Sequence, residues 1–182
     1  MTTPGARGPV TTGEAALGFV ERAVTEAGRR VDGTDTEAMA MVLLLHRVTN
    51  TVVYDMESTV HRPAGWSWSA WRALFTLWIS GPLEPSRLAE LSGMSRQAVS
   101  ALAKTLEADG LVERRDAERD GRSVLLSVSR AGELRLTRAF RDHNRRETEW
   151  ASALDADERA TLTRLLAKLA DAAHQPWVSH RY

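Results

Sequence analysis

The sequence predicts a mainly α-helical chain that carries one small β-hairpin. Apolar residues recur at helical spacing through most of its length. Two stretches, "LVERR" and "SVLLSV", read as short strands and flank the polar, turn-forming "DAERDG". Gly and Pro punctuate the pattern at Gly81-Pro82, Gly93 and Gly110, so the helices between them are short.

Each element follows in order. Met1 to about Val10 is rich in Pro, Gly and Thr and reads as a disordered end. Leu17, Phe19, Val20 and Val24 predict a short helix over about 13–28. It has too little apolar surface to stand alone and must dock on the body or on a second subunit. From Thr36 to Arg62, Val42, Leu45, Val48, Val52, Met56 and Val60 step by three or four and predict one long helix, ended by Pro63 and Gly65. Ser67 then caps "WSAWRALFTLW", in which Trp68, Trp71, Leu74, Phe75 and Trp78 are the bulky positions. Pro85 suits the first turn of the next helix, Leu88 and Leu91 its buried edge, and Gly93 its C-terminal cap. Ser95 caps the following one, where Val99, Leu102 and Leu106 form the apolar stripe and Gly110 the end. The short Gly-containing gap is that of a helix-turn-helix. With the hairpin after it, the unit is a winged helix-turn-helix. Ser129 caps a largely polar helix through about Ala153. Asp155 and Glu158 have capping-box spacing before the seam Leu162, Leu165, Leu166 and Leu169.

Composition narrows the function classes. At 182 residues the chain supports one good core with an appended arm. Apolar residues are 43% and charged residues 26%, ordinary for a soluble globular protein. No apolar run is long enough to span a bilayer and no secretion signal is visible, so the expected location is cytoplasmic, with no membrane partner. The absence of cysteine removes disulfides, thiolate metal sites and thiol nucleophiles. The histidines at 46, 61, 143, 174 and 180 have no tight metal spacing, and no cofactor motif is present. Ser, His and Asp occur, but no nucleophile elbow, phosphate loop or metal motif organises them, so an enzyme is not expected. Net charge is zero, which counts mildly against a nucleic-acid binder unless charge is segregated onto one face. Between Arg87 and Arg122 basic and acidic residues balance, so binding needs the acids to face elsewhere.

In order and spacing, "WRALFTLW", "LAELSGMSRQAVSALAKTLEADGLVERR", "DGRS" and "VSRAGE" resemble the MarR family of bacterial transcription regulators, over about residues 37 to 173. The N-terminal arm is longer than the family's minimal form, and Val128-Ser129 stand where the family has Leu-Thr, keeping the capping hydroxyl. The resemblance implies a winged helix-turn-helix domain plus a helical dimerisation domain, in a homodimer whose paired winged domains meet successive major grooves of double-stranded DNA at a palindromic operator. The implied division is an arm over 1–35, a family domain over 36–174 and a tail over 175–182. Within these the DNA-binding core covers about 67–128, and the dimerisation helices about 13–28, 36–62 and 130–173. No internal boundary is expected, because the winged unit sits between helices that need partners.

If Val99, Leu102 and Leu106 face the core, then Arg96, Gln97, Ser100 and Lys104, with Ser95 at the helix start, project outward. A recognition helix needs slim side chains and a few donors there; a plain solvated face is the alternative. At the hairpin tip lie Arg119, Asp120 and Arg122. A tip arginine suits the narrow minor groove, and the resemblance implies that Asp120 holds Arg122 in its inserting pose. The bland alternative is a surface ion pair. The resemblance also implies a crevice for a small aromatic or phenolic effector, which His46, His61, Trp68 and Arg72 are placed to line; equally, the tryptophans are simply core. A repressor released by such a ligand is the leading expectation. A winged helix that binds protein rather than DNA is the runner-up.

Overall fold

A computed structural model describes residues 12–116 and 124–178. The chain forms two compact units, divided between Tyr54 and Asp55. The first holds helix α1 (Thr12–Arg30) and most of α2 (Thr36–Met56). Asp35 Oδ1 accepts from Ala38 N at 2.9 Å at the start of α2, and the Arg47 guanidinium lies 4.6 Å over the Phe19 ring. Most of the seam expected on α2 is exposed: Val42, Leu45 and Val48 each keep 40% or more of their surface.

The second unit begins with a change of helix type. The expected helix over 36–62 is α-helical only to Met56; Glu57–His61 is a π-helical turn. Arg62 N–H donates to Glu57 O at 2.8 Å, five residues back. Val60 and His61, within this turn, are both buried.

Then come α3 (Trp68–Ser80), α4 (Pro85–Ser92), α5 (Arg96–Ala108), strands β1 (Val112–Asp116) and β2 (Val124–Val128), α6 (Arg130–Ala151) and α7 (Ala156–Asp171). The caps expected from sequence are present. Ser67 Oγ accepts from Ala70 N and Ser95 Oγ from Ala98 N, each at 3.1 Å. Pro85 opens α4, Gly93 closes it at φ +66°, and the Asp155–Glu158 capping box opens α7. The strands pair antiparallel, with Val112 opposite Val128 and Asp116 opposite Val124. One pairing goes beyond the sequence reading: Leu83 exchanges two backbone hydrogen bonds with Leu126, at 3.0 and 2.8 Å. A single bridging residue is too short to leave a periodic signal.

The core lies among α3, α4, α5, the hairpin base and α6. Leu74, Leu77, Leu88, Met94, Val99, Leu106, Leu111, Leu126 and Leu136 are all buried in it. The hairpin base is stitched to α6 by one hydroxyl. Ser129 Oγ donates to Gly110 O at 2.6 Å and accepts from Gly132 N at 2.9 Å. Gly132 is required by space, since a Cβ there would sit 2.2 Å from Leu111 O.

Candidate nucleic-acid interface

Helix α5 presents two unlike faces. Val99, Ala103 and Leu106 are buried, with Leu102 half-buried between them. Arg96, Gln97, Ser100, Ala101, Lys104 and Thr105 are exposed. The outward side therefore combines small residues with two cations and an amide, and the backbone can approach a flat partner closely. Ser95 lies at the helix start and spends its hydroxyl on the cap.

The balanced charge of this region resolves by pairing. Arg114 lies 3.3 Å from Glu107, Arg115 2.8 Å from Glu113 and Arg87 2.6 Å from Glu90. These acids are held by arginines of α4 and β1. Among the described residues no carboxylate pairs with Arg96 or Lys104, so the leading face of α5 is locally positive although the unit is not. The wing residues Arg119, Asp120 and Arg122 lie outside the described residues.

The residues expected around an effector crevice fall in different settings. His46 is exposed on α2, its Nε2 3.1 Å from Asn50 Nδ2. His61 is fully buried, its ring stacked 4.7 Å from Trp71 and 5.3 Å from Trp68. Arg72, one turn beyond Trp68, is half-buried, and its Nε is buried with no hydrogen-bond partner among the described residues.

His61 also meets a residue the sequence reading did not single out. His143 of α6 is buried, with Nδ1 3.1 Å from His61 Nε2 and Nε2 3.1 Å from Glu147 Oε1. Glu147 accepts from His143 Nε2–H, which leaves Nδ1 as the acceptor for His61 Nε2–H. Burial, aided by the nearby His143, pushes His61 down to about 4. Burial also lowers His143, against the opposing pull of Glu147. Both are neutral at pH 7. Eighty-odd residues separate them in sequence, and no spacing rule reaches across that distance.

A second cluster ties α6 to the end of α2. Arg146 donates to both oxygens of Asp55 at 2.7 Å, and Trp150 Nε1 donates to Asp55 Oδ2 at 2.7 Å. The Arg146 hydrogen bonds hold the Asp55 carboxyl below the usual carboxylate range.

Known proteins resemble this chain in sequence and in fold. The family model described as "MarR family" matches residues 64–123. An uncharacterized HTH-type transcriptional regulator of Bacillus subtilis (strain 168), YwaE, is 33% identical over 144 residues, covering 79% of this chain and 84% of the relative. A mutant of E. coli MarR, solved in complex with operator DNA, superposes with a TM-score of 0.67 at 22% identity, over 73% of this chain and 95% of that one. The PcaV regulator of Streptomyces coelicolor, solved with its natural ligand, gives 0.61 at 23%, over 72% and 92%. At these identities the two structures speak for the fold, and it is the Bacillus relative that carries the kinship. With the helix-turn-helix, the hairpin and the Ser129–Gly132 stitch all in place, the chain belongs to the MarR family of transcriptional regulators.

Proposed function

We propose that the protein is a homodimeric, sequence-specific DNA-binding repressor that a small aromatic or phenolic ligand releases from a palindromic operator. The observation that carries this reading is the outward face of α5. Among the described residues no carboxylate pairs with Arg96 or Lys104, and the exposed side they share with Gln97 and Ser100 also carries the small residues Ala101 and Thr105. Gln97 offers a bidentate amide to an adenine edge, Arg96 a fork for guanine or phosphate, and Ser100 and Lys104 suit phosphate. Arg119 and Arg122 at the wing tip would meet the minor groove, with Asp120 orienting Arg122. The operator complex of the related MarR supports this docking mode.

Dimerisation is supported by Leu162, Leu165, Leu166 and Leu169 of α7, each 40–44% exposed. An apolar stripe of that length on a soluble protein calls for a partner. A ligand response is supported by the PcaV complex and by Arg72, whose Nε has no partner among the described residues and makes it the readiest anion donor among His46, His61, Trp68 and Arg72. The protein is expected to work in the cytoplasm.

Operator sequences selected from random duplexes, then measured across a salt series, test the DNA reading. Gln97→Ala should cost about 1–3 kcal/mol per half-site and relax preference at one symmetric pair of bases. Arg122→Ala should weaken binding to operator and scrambled DNA alike and flatten the salt dependence. Unchanged affinity in both variants would give the lead to the protein-binding alternative.

A further inference from the structure

We propose that Ala101 and Thr105 set the operator sequence by reading thymine methyl groups. The inference rests on the DNA reading above and names the bases that α5 selects.

The exposed side of α5 divides lengthwise into two lines. Arg96, Ser100 and Lys104 follow one another by four residues and form a polar, cationic line. Gln97, Ala101 and Thr105 follow at the same spacing, one residue on, and form a neutral line beside it. Ala98, beyond the neutral line, is exposed as well and adds no bulk. The slimness belongs to this helix and not to exposed helical surface in general. The exposed side of α6 carries Arg138, Arg141, Asp142 and Arg145.

In a major groove the two lines meet different chemistry. Cations belong at the phosphates along the rim. With the cationic line there, the neutral line turns to the floor. The floor is made of hydrogen-bonding edges and one apolar group, the thymine 5-methyl. Gln97 can answer an edge. Ala101 cannot: set against a ring nitrogen or a carbonyl it would displace water and return no hydrogen bond. Against a thymine methyl it buries apolar surface on both sides. Thr105 behaves alike, because its Oγ1 is turned back along the helix, 3.5 Å from Ala101 O, which leaves its methyl on offer. Members of the line are about 6 Å apart along the helix axis, a little under two base-pair steps of about 3.4 Å. For a helix lying along the groove, the two thymines fall within about two base pairs of each other, next to the adenine taken by Gln97.

The test uses the full chain and an operator selected from random duplexes. Each thymine is replaced in turn by deoxyuridine, in both half-sites. Uracil pairs as thymine does and lacks only the 5-methyl group. At one fixed salt concentration, affinity should fall about threefold to tenfold per half-site at two thymines and by less than about twofold at the others. Ala101→Gly should erase the uracil penalty at one of the two and Thr105→Ser at the other, since each removes one methyl. Thr105→Val, which keeps a methyl and drops the hydroxyl, should retain the penalty. Every comparison is a ratio of two DNAs within one protein, so a change in helix stability cancels. The proposal is overturned if every thymine tolerates uracil, if the penalties survive both methyl deletions, or if Thr105→Val loses its penalty as Thr105→Ser does. Those results would leave the operator and its adenine preference in place, so the DNA reading would stand. If selection yields no operator at all, the DNA reading fails and this inference falls with it.

Discussion

Helices α5 and α7 carry the same signature, leucines and valines stepping by three and four along one side, and the fold treats them in opposite ways. In α5 the stripe is sealed, with Val99 1% and Leu106 3% exposed. In α7 no residue is buried, and Leu162, Leu165, Leu166 and Leu169 all lie open. An amphipathic pattern therefore reports that a helix needs an apolar partner, but not whether that partner is in the same chain. The α5 stripe is answered by α3, α4 and the hairpin base within about forty residues of sequence, and the α7 stripe is left for another surface.

The largest effect should come from attacking the open seam. Replacing Leu162 and Leu166 together by Glu should abolish the dimer at micromolar concentration, because two charges cannot be buried unpaired in an apolar interface. Sedimentation should show a monomer, with the near-ultraviolet circular dichroism of the tryptophan-rich second unit preserved. If the parent itself sediments as a folded monomer, the seam has another role.

Leu106→Ala attacks the sealed seam instead. It should lower unfolding free energy by about 2–5 kcal/mol through lost burial and a residual cavity. Leu166→Ala should cost little in a monomer and show its effect as a concentration-dependent melting temperature. Equal, concentration-independent losses for the two would erase the contrast.

Acid probes a buried site that neither stripe contains. His61 is held down to about 4 in the folded state, against about 6.5 in an unfolded chain. The unfolded state therefore binds the extra proton first as pH falls. Stability from this group is complete above about pH 6.5 and is lost as pH falls toward 4. By pH 4.5 the loss should be about 2–3 kcal/mol. His143, lowered in the same sense, adds to it. Urea unfolding of the parent and of His61→Phe at both pH values would isolate the contribution. A flat difference between the two proteins would refute the buried neutral assignment.

The smallest effect concerns the start of α5. Ser95→Ala removes the acceptor for Ala98 N and should cost about 1 kcal/mol of stability. The fraying it allows should also weaken operator binding slightly. Ser129→Ala should cost more than Ser95→Ala, since its hydroxyl also serves Gly110 O.

The local grammar was written in the chain. Ser67, Ser95, Ser129 and Asp155 cap helices, Pro85 and Gly93 bracket α4, and the alternation around Leu126 makes a strand, because each depends on residues within one turn of one another. The outward side of α5 was legible for the same reason: once Val99 and Leu106 face inward, helical geometry places Arg96, Gln97, Ser100 and Lys104 outside. What only the tertiary structure decided lies between distant segments. Burial of His61 against His143, the Asp55 clamp on Arg146 and Trp150, the Leu83–Leu126 bridge and the placing of Arg135 over Trp66 each join residues from separate elements. The π-helical turn at Glu57–His61 belongs with them. Its sequence reads as ordinary helix, and no local pattern marks the wider turn that carries the buried Val60 and His61. Periodicity and capping are short-range chemistry and survive in one dimension. Desolvation, stacking and ion pairing across the chain depend on which surfaces the fold brings together, and they exist only once it has done so.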